Sequence, residues 1–271
     1  MLETRYLYHR LASPAQLPHL DMLHVARRFW RGGTPAGQDT VAAGSGCSLS
    51  ALERHPLGTG RQGDVPGFEI PARYFHFVRT GDARPLQIVF EHNRLDLLSL
   101  AALTARALHL VRMGPGQAAD PREALALGSI YARAGHEALG RQAYQRAIDL
   151  SSEEGRRDAS SSSAAVHAEA LRSLALMFRR GRAHDQAAGC WRQILDIRTC
   201  PQPIAREANA ALAIHHEHRL RDLAAAKDFA LRSLEHGTRP GWQDAVRHRL
   251  ARLERKMRVF ERGTLLDLIG T

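Results

Sequence analysis

The sequence predicts a mainly α-helical protein built in two parts, and three observations carry that expectation. Apolar residues recur at helical spacing through residues 71–79 and 85–113. The triplet Gly114-Pro115-Gly116 ends the second of these runs. Beyond it a helix-pair pattern returns three times. An apolar share of 44% over 271 residues is ample for packed cores.

In chain order, residues 1–12 predict a helix with Leu2, Tyr6 and Leu7 on one side, ended by Ser13-Pro14, because proline has no N–H to continue it. The LPHLDML run at 17–23 is short, apolar and preceded by prolines, so it reads as a buried strand. Residues 31–46 are rich in Gly, Ala and Thr without a hydrophobic period and read as a loop. Ser48 or Ser50 then caps a short helix, with Glu53 three residues after Ser50 as in a capping box. A turn-rich connection, GTGRQGDVPGFE, covers 58–69, where Asp64 and Glu69 are expected in exposed loops. From Ile70 the chain becomes helical, with Pro71 in the first turn, Tyr74, Phe75, Phe77 and Val78 following, and Gly81 as terminator. Residues 85–113 predict a longer helix whose core stripe is Leu97, Leu100, Ala101, Leu108 and Val111.

The repeated pattern begins at residues 125–150, where Leu127, Gly128, Tyr131, Tyr144 and Ala147 stand at positions resembling those of a tetratricopeptide repeat. The second copy, 168–196, carries Leu174, Ala175, Phe178, Gly181, Ala187 and Trp191 in nearly the same order. A third, 205–234, carries Leu212, Ala213, His216 and Phe229, and a basic last helix spans about 242–260. The serine-rich stretch SSEEGRRDASSSSAA between the first two copies reads as a polar loop.

Composition narrows the function classes. No run approaches a membrane span and the N-terminus has no secretory character, so a cytoplasmic protein is expected. Cys47, Cys190 and Cys200 form no CxxC pair, which argues against a disulfide framework or zinc site. The net charge of +10 is almost all arginine, since Lys227 and Lys256 are the only lysines among 38 basic residues. Such a field favours nucleic-acid partners, while arginines on solvent-facing helix positions would equally keep an alanine-rich surface soluble.

His92 and Asp96 stand four apart in one helix and so share a face, which sets an acid–base group beside a carboxylate. The stretch around them, with the run Arg79-Thr80-Gly81-Asp82 and the pair His92-Asn93, resembles the third active-site motif of the YprB-like ribonuclease-H-like proteins, relatives of the DEDD 3′–5′ exonucleases. The resemblance covers nearly all of residues 1–110. It implies that Asp96 is a ligand of a two-metal site using Mg²⁺ or Mn²⁺, that His92 stands at the general-base position with Asn93 beside it, and that Asp21 is site-adjacent. Three further carboxylates of that site precede, in the family, a segment similar to the one that opens this chain, so the polypeptide is expected to be inert as a nuclease.

These readings combine into a mainly α protein: an incomplete ribonuclease-H-like α/β portion, residues 1–113, followed by a tetratricopeptide-like α-solenoid, residues 120–262. Nucleic acid, DNA or RNA, is the expected partner. The alternative is an interaction scaffold whose repeats hold a protein partner. His19 and His24 flank Asp21 without a defensible zinc pattern, and the adjacent residues His215-His216-Glu217-His218 spread around a helix axis rather than converging on one metal. No P-loop, nucleophile elbow or dinucleotide fingerprint is present in the sequence.

Overall fold

The structure, a computed structural model, describes residues 6–11, 19–31, 47–61, 63–157, 161–234 and 240–269. Among these every regular element is helical, and none of the helices is long and apolar enough to cross a membrane. The chain divides into two compact units, Met1–Leu108 and His109–Thr271.

The first unit holds α1 (Met22–Phe29), α2 (Leu49–Arg54), α3 (Ile70–Thr80) and most of α4 (Gln87–Met113), with short 3₁₀ turns at Gly67–Glu69 and Arg84–Leu86. The strand expected at 17–23 is absent from its described part. Residues 19–21 are irregular, Leu20 is exposed, and a helix starts at Met22 because the Asp21 carboxylate accepts the Leu23 N–H at 2.8 Å. Of the expected N-terminal helix, residues 6–8 are helical. Its remaining residues up to 5, and the loop at 32–46, lie outside the described residues. Ser48, not Ser50, caps α2 by accepting the Ala51 N–H. Pro71 sits in the first turn of α3 and Gly81, at φ 74°, ends it in the left-handed region that glycine enters without a Cβ clash.

Helix α4 corrects the expected stripe. Leu97 is 70% exposed and Leu108 54%, with Leu100 and Ala101 also on the outside, whereas Leu86 in the preceding turn and Val89, Leu103 and Ala107 are buried. Both faces of α4 carry apolar residues, so periodicity alone did not say which one turns inward. Phe68, Tyr74, Phe75, Val78 and Phe90 add to the apolar surface of this unit.

The second unit is a series of consecutive packed helices: α5 (Pro121–Arg133), α6 (Glu137–Arg157), α7 (Ser161–Arg180), α8 (His184–Leu195), α9 (Gln202–His215), α10 (Leu223–Arg232) and α11 (Pro240–Ile269). Asp120 caps α5 by accepting the Arg122 N–H at 2.7 Å, and the buried Glu123 reaches back to the Ala119 N–H, a reciprocal cap around Pro121. Gly128 faces the Tyr144 ring and Gly140 faces the backbone of Ala132, an antiparallel register in which small residues let α5 and α6 touch. The serine-rich stretch is not a loop in its described part, because α6 runs to Arg157 and α7 begins at Ser161. Its hydroxyls are absorbed locally: Ser151 and Ser152 donate to carbonyls one turn back, and Ser163 donates to the Ser151 carbonyl at 3.0 Å.

After α9 the helix widens into a π turn, His216–Leu220, reverses through Arg221 at φ 57°, and restarts with Asp222 capping α10 through the Ala225 N–H. The turn directs Glu217 inward, where its buried carboxylate accepts from Arg249 (3.2 Å), Arg252 (2.6 Å) and Lys256 (2.8 Å) of α11. Around this anchor Ala213, Ala226, Ala230, Val246 and Leu253 form the apolar core of the last three helices.

Two outcomes are expected. A Cβ at position 128 would lie 2.4 Å from a Tyr144 ring carbon, so Gly128→Ala should destabilise the protein in urea unfolding by about 1–3 kcal/mol, overpacking outweighing the better helix propensity of alanine. For Glu217, burial opposes ionisation, but hydrogen bonds from Arg252 and Lys256 outweigh it and draw the carboxyl from its ordinary 4.5 down to about 2. Its contribution is therefore complete above pH 4.5 and lost as pH falls towards 2. Glu217→Gln should lower stability at neutral pH and flatten the acid limb over that window, as followed by circular dichroism.

Candidate functional site

On the inward face of α4, His92, Asp96 and Ser99 stand at helical spacing between Val89 and Leu103, both buried. An apolar stripe interrupted by an imidazole, a carboxylate and a hydroxyl requires polar partners in the elements that cover it. Helix α2 and the loop after it supply them.

The loop closes on α2 where the Glu53 carbonyl accepts the Thr59 N–H at 2.8 Å, after Gly58 turns the chain at φ 64°. That reversal returns Arg61 to the Glu53 side chain. The guanidinium donates twice to Glu53, from Nη2 to Oε1 at 2.5 Å and from Nε to Oε2 at 2.8 Å. Nη2 also reaches Asp96 Oδ1 at 2.7 Å and Nη1 reaches Asp64 Oδ2 at 3.1 Å. The Ser99 hydroxyl donates to Glu53. His92 Nδ1 lies 2.7 Å from Asp64 Oδ1, and its Nε2 is 3.5 Å from Asp96 Oδ2. The side chains of Glu53 and Arg61 are 3% and 9% exposed, so this is a covered ion cluster, with Asp64, His92 and Asp96 at its wetter edge.

The electrostatics follow from that geometry. Hydrogen bonding to Glu53 raises the Arg61 guanidinium against its own desolvation, which fixes its positive charge. Burial works to raise the Asp64 carboxyl, but the hydrogen bonds from His92 and Arg61 together hold it below its ordinary range.

Among the residues singled out from sequence, His92 and Asp96 come together. Asn93 is one step round the helix and exposed. Asp21 is spent on capping α1, with His24 at 3.8 Å. Asp64 does lie in an exposed loop, yet its carboxylate turns in to His92 and Arg61. Glu69 lies in a 3₁₀ turn, half-buried, and pairs with Arg73 at 2.9 Å. Sequence reasoning missed Glu53 and Arg61 as members of the cluster. The available signal was an acidic residue beside Ala51 and Leu52 on the buried side of a six-residue helix. In the histidine-rich run of the second unit His215 approaches Asp185, His216 lies against Phe229 with the rings tilted by 42°, and Glu217, held by the cations of α11, has His218 at 3.6 Å.

A pair of divalent cations needs several carboxylate oxygens free of competing partners. Asp96 already shares one oxygen with Arg61, Asp64 is engaged by His92 and Arg61, and among the described residues no group of three or more His, Cys, Asp or Glu is arranged to hold a metal ion. As arranged, the residues do not fit two metals. The cluster can hold and orient a histidine between two carboxylates, and it places a guanidinium where added positive charge would otherwise go.

Residues 1–108 match the family model described as RNase_H superfamily. Over 252 residues, 91% of its length, the chain is 26% identical to YprB of Bacillus subtilis (strain 168), a protein described as uncharacterized. The chain spans about half of that relative, 54% of its length. No solved structure matches.

Removing the central cation tests the cluster. Arg61→Met leaves Glu53 buried without its counter-charge, and urea unfolding should show a loss of about 3 kcal/mol. The double variant Arg61→Met, Glu53→Gln should recover part of it, as expected for coupled groups.

Proposed function

We propose that this chain is a nucleic-acid-binding ribonuclease H-like protein carrying the histidine–aspartate motif of a 3′–5′ exonuclease site, with Asp96 at the metal-ligand position and His92 at the general-base position. In the complete family that site would use Mg²⁺ or Mn²⁺ for phosphodiester hydrolysis. The observation that carries the reading is the placement of His92 and Asp96 side by side on the inward face of α4, within a segment similar to that superfamily. The same geometry supports an inert state for this polypeptide, since Arg61 holds Asp96 and no hydrolytic step can be routed through two metals on these residues.

Labelled DNA and RNA single strands incubated with the chain and Mg²⁺ or Mn²⁺ should remain intact. Metal-dependent shortening from an end, abolished by Asp96→Asn, would overturn the inert assignment while upholding the site assignment. Shortening that survives Asp96→Asn would overturn both.

The second reading takes residues 120–262 as a tetratricopeptide-like stack holding a protein partner. A cleft of about 280 Å³ between α7, α8, α9 and α11, lined by Arg179, Trp191, Glu207, Ile214, Trp242 and Arg249, favours it. Its mixture of aromatic and cationic groups suits a segment with apolar side chains and a carboxylate.

A further inference from the structure

The end of the second unit, from the π turn through most of α11, concentrates charge in a way the candidate site does not use. Between residues 215 and 258 eleven Lys and Arg stand against six Asp and Glu, so this stretch carries half of the chain's net charge of +10. On α11 the positions 252, 255, 256 and 259 fall on one face. With Leu223 at the start of α10 they line an open groove of about 410 Å³ whose surface is almost wholly apolar, made by Leu223, the exposed Val259 and the aliphatic stems of Arg252, Arg255 and Lys256.

Glu217 makes the groove more than a solvated face. It binds Arg252 and Lys256 by hydrogen bonds at 2.6 and 2.8 Å, together with Arg249, so one buried carboxylate holds the heads of three cations while offsetting only one of their charges. Long basic side chains normally lose rotamer freedom when they bind an anion. Here part of that ordering is already done.

We propose that the groove formed by Arg252, Arg255 and Lys256 binds the sugar–phosphate backbone of single-stranded nucleic acid, with Leu223 and Val259 under the sugars and bases. Planar guanidinium groups match phosphate oxygens bidentately, which favours phosphates as the anions recognised. An apolar strip between the cations suits a strand whose bases are open, whereas a duplex offers the groove only its outer phosphates. The assignment concerns the second unit and does not rest on the catalytic reading of Asp96.

The test is fluorescence anisotropy of the full chain with labelled single-stranded DNA and RNA in EDTA, so that binding is read without hydrolysis, at several salt concentrations. Arg255 is exposed and is not among the Glu217 partners, so Arg255→Glu should leave the helical circular dichroism unchanged while weakening binding about tenfold. Arg255→Gln should lower the slope of log affinity against log salt by about 0.7. Arg141→Glu, an equal charge change on the exposed side of α6, should have a much smaller effect. The proposal is overturned if Arg255→Glu binds as tightly as the parent, or if Arg141→Glu weakens binding equally, which would indicate net charge alone. Competition by anionic vesicles or polyglutamate at equal charge would overturn it too, by making the surface a general polyanion site.

Discussion

The first unit depends on Arg61. Three carboxylates and an imidazole gathered on the covered side of a helix would repel and would lose their hydration, a cost of several kcal/mol for each unpaired ion. One guanidinium answers Glu53, Asp64 and Asp96 together, and those partners come from α2, the following loop and α4. Arginine suits this place because its five N–H donors lie in a fixed fork that serves several acceptors at once, which a lysine ammonium cannot reproduce in the same plane. The contact is therefore both tertiary glue and charge balance. It also sets the chemistry of the site, because an internal cation bonded to Asp96 competes with any external one.

The second unit is held by a different principle. Its helices approach closely through Gly128 and Gly140 and through alanines such as Ala143, Ala147, Ala175 and Ala213, so neighbouring pairs bury one another and little depends on distant contacts. The exception is its far end. There the π turn directs Glu217 into the core, and α11 responds with Arg249, Arg252 and Lys256. In each unit a buried carboxylate is matched by arginine, but the balance has opposite sign. The Arg61 cluster has more carboxylates than cations, and the Glu217 cluster has more cations than carboxylates.

How much of this was legible in the sequence follows from the range of the interactions. Local signals read well: Pro71 and Gly81 bound α3, and the repeated small and aromatic residues mark the packed helices of the second unit. The His92–Asp96 pair was legible because four residues is a helical step. In the described part of the run at 17–23 the expected strand gives way to a helix because a single Asx cap at Asp21 decides between extended and helical chain. The inward face of α4 was misread because apolar residues occupy both sides, and what selects the buried one is the ion cluster. Arg61 and Glu53 were missed since their partners other than Asp64 are 8 to 46 residues away, beyond any periodicity, and chain reversal at Gly58 is what joins them. The π turn was equally hidden, because one inserted residue changes the inward-facing position without changing composition.

Arginine excess by itself does not separate a nucleic-acid surface from a soluble one, but the partners of individual arginines do. Arg84 and Arg94 are exposed and engaged by Asp82 and Glu91 within a turn of themselves, pairs that contribute little energy and leave no net field. Arg61 is turned inward and outnumbered by carboxylates. Arg172 is shared between Glu169 and Glu207. On α11 the ratio reverses, with one buried carboxylate against three cations and Arg255 beside them on the same groove. A long-range field that survives screening at a Debye length of about 8 Å must come from such uncompensated charge held at short spacing. Half of the chain's excess sits between residues 215 and 258, whereas around the histidine–aspartate pair one guanidinium is outnumbered by the three carboxylates it serves.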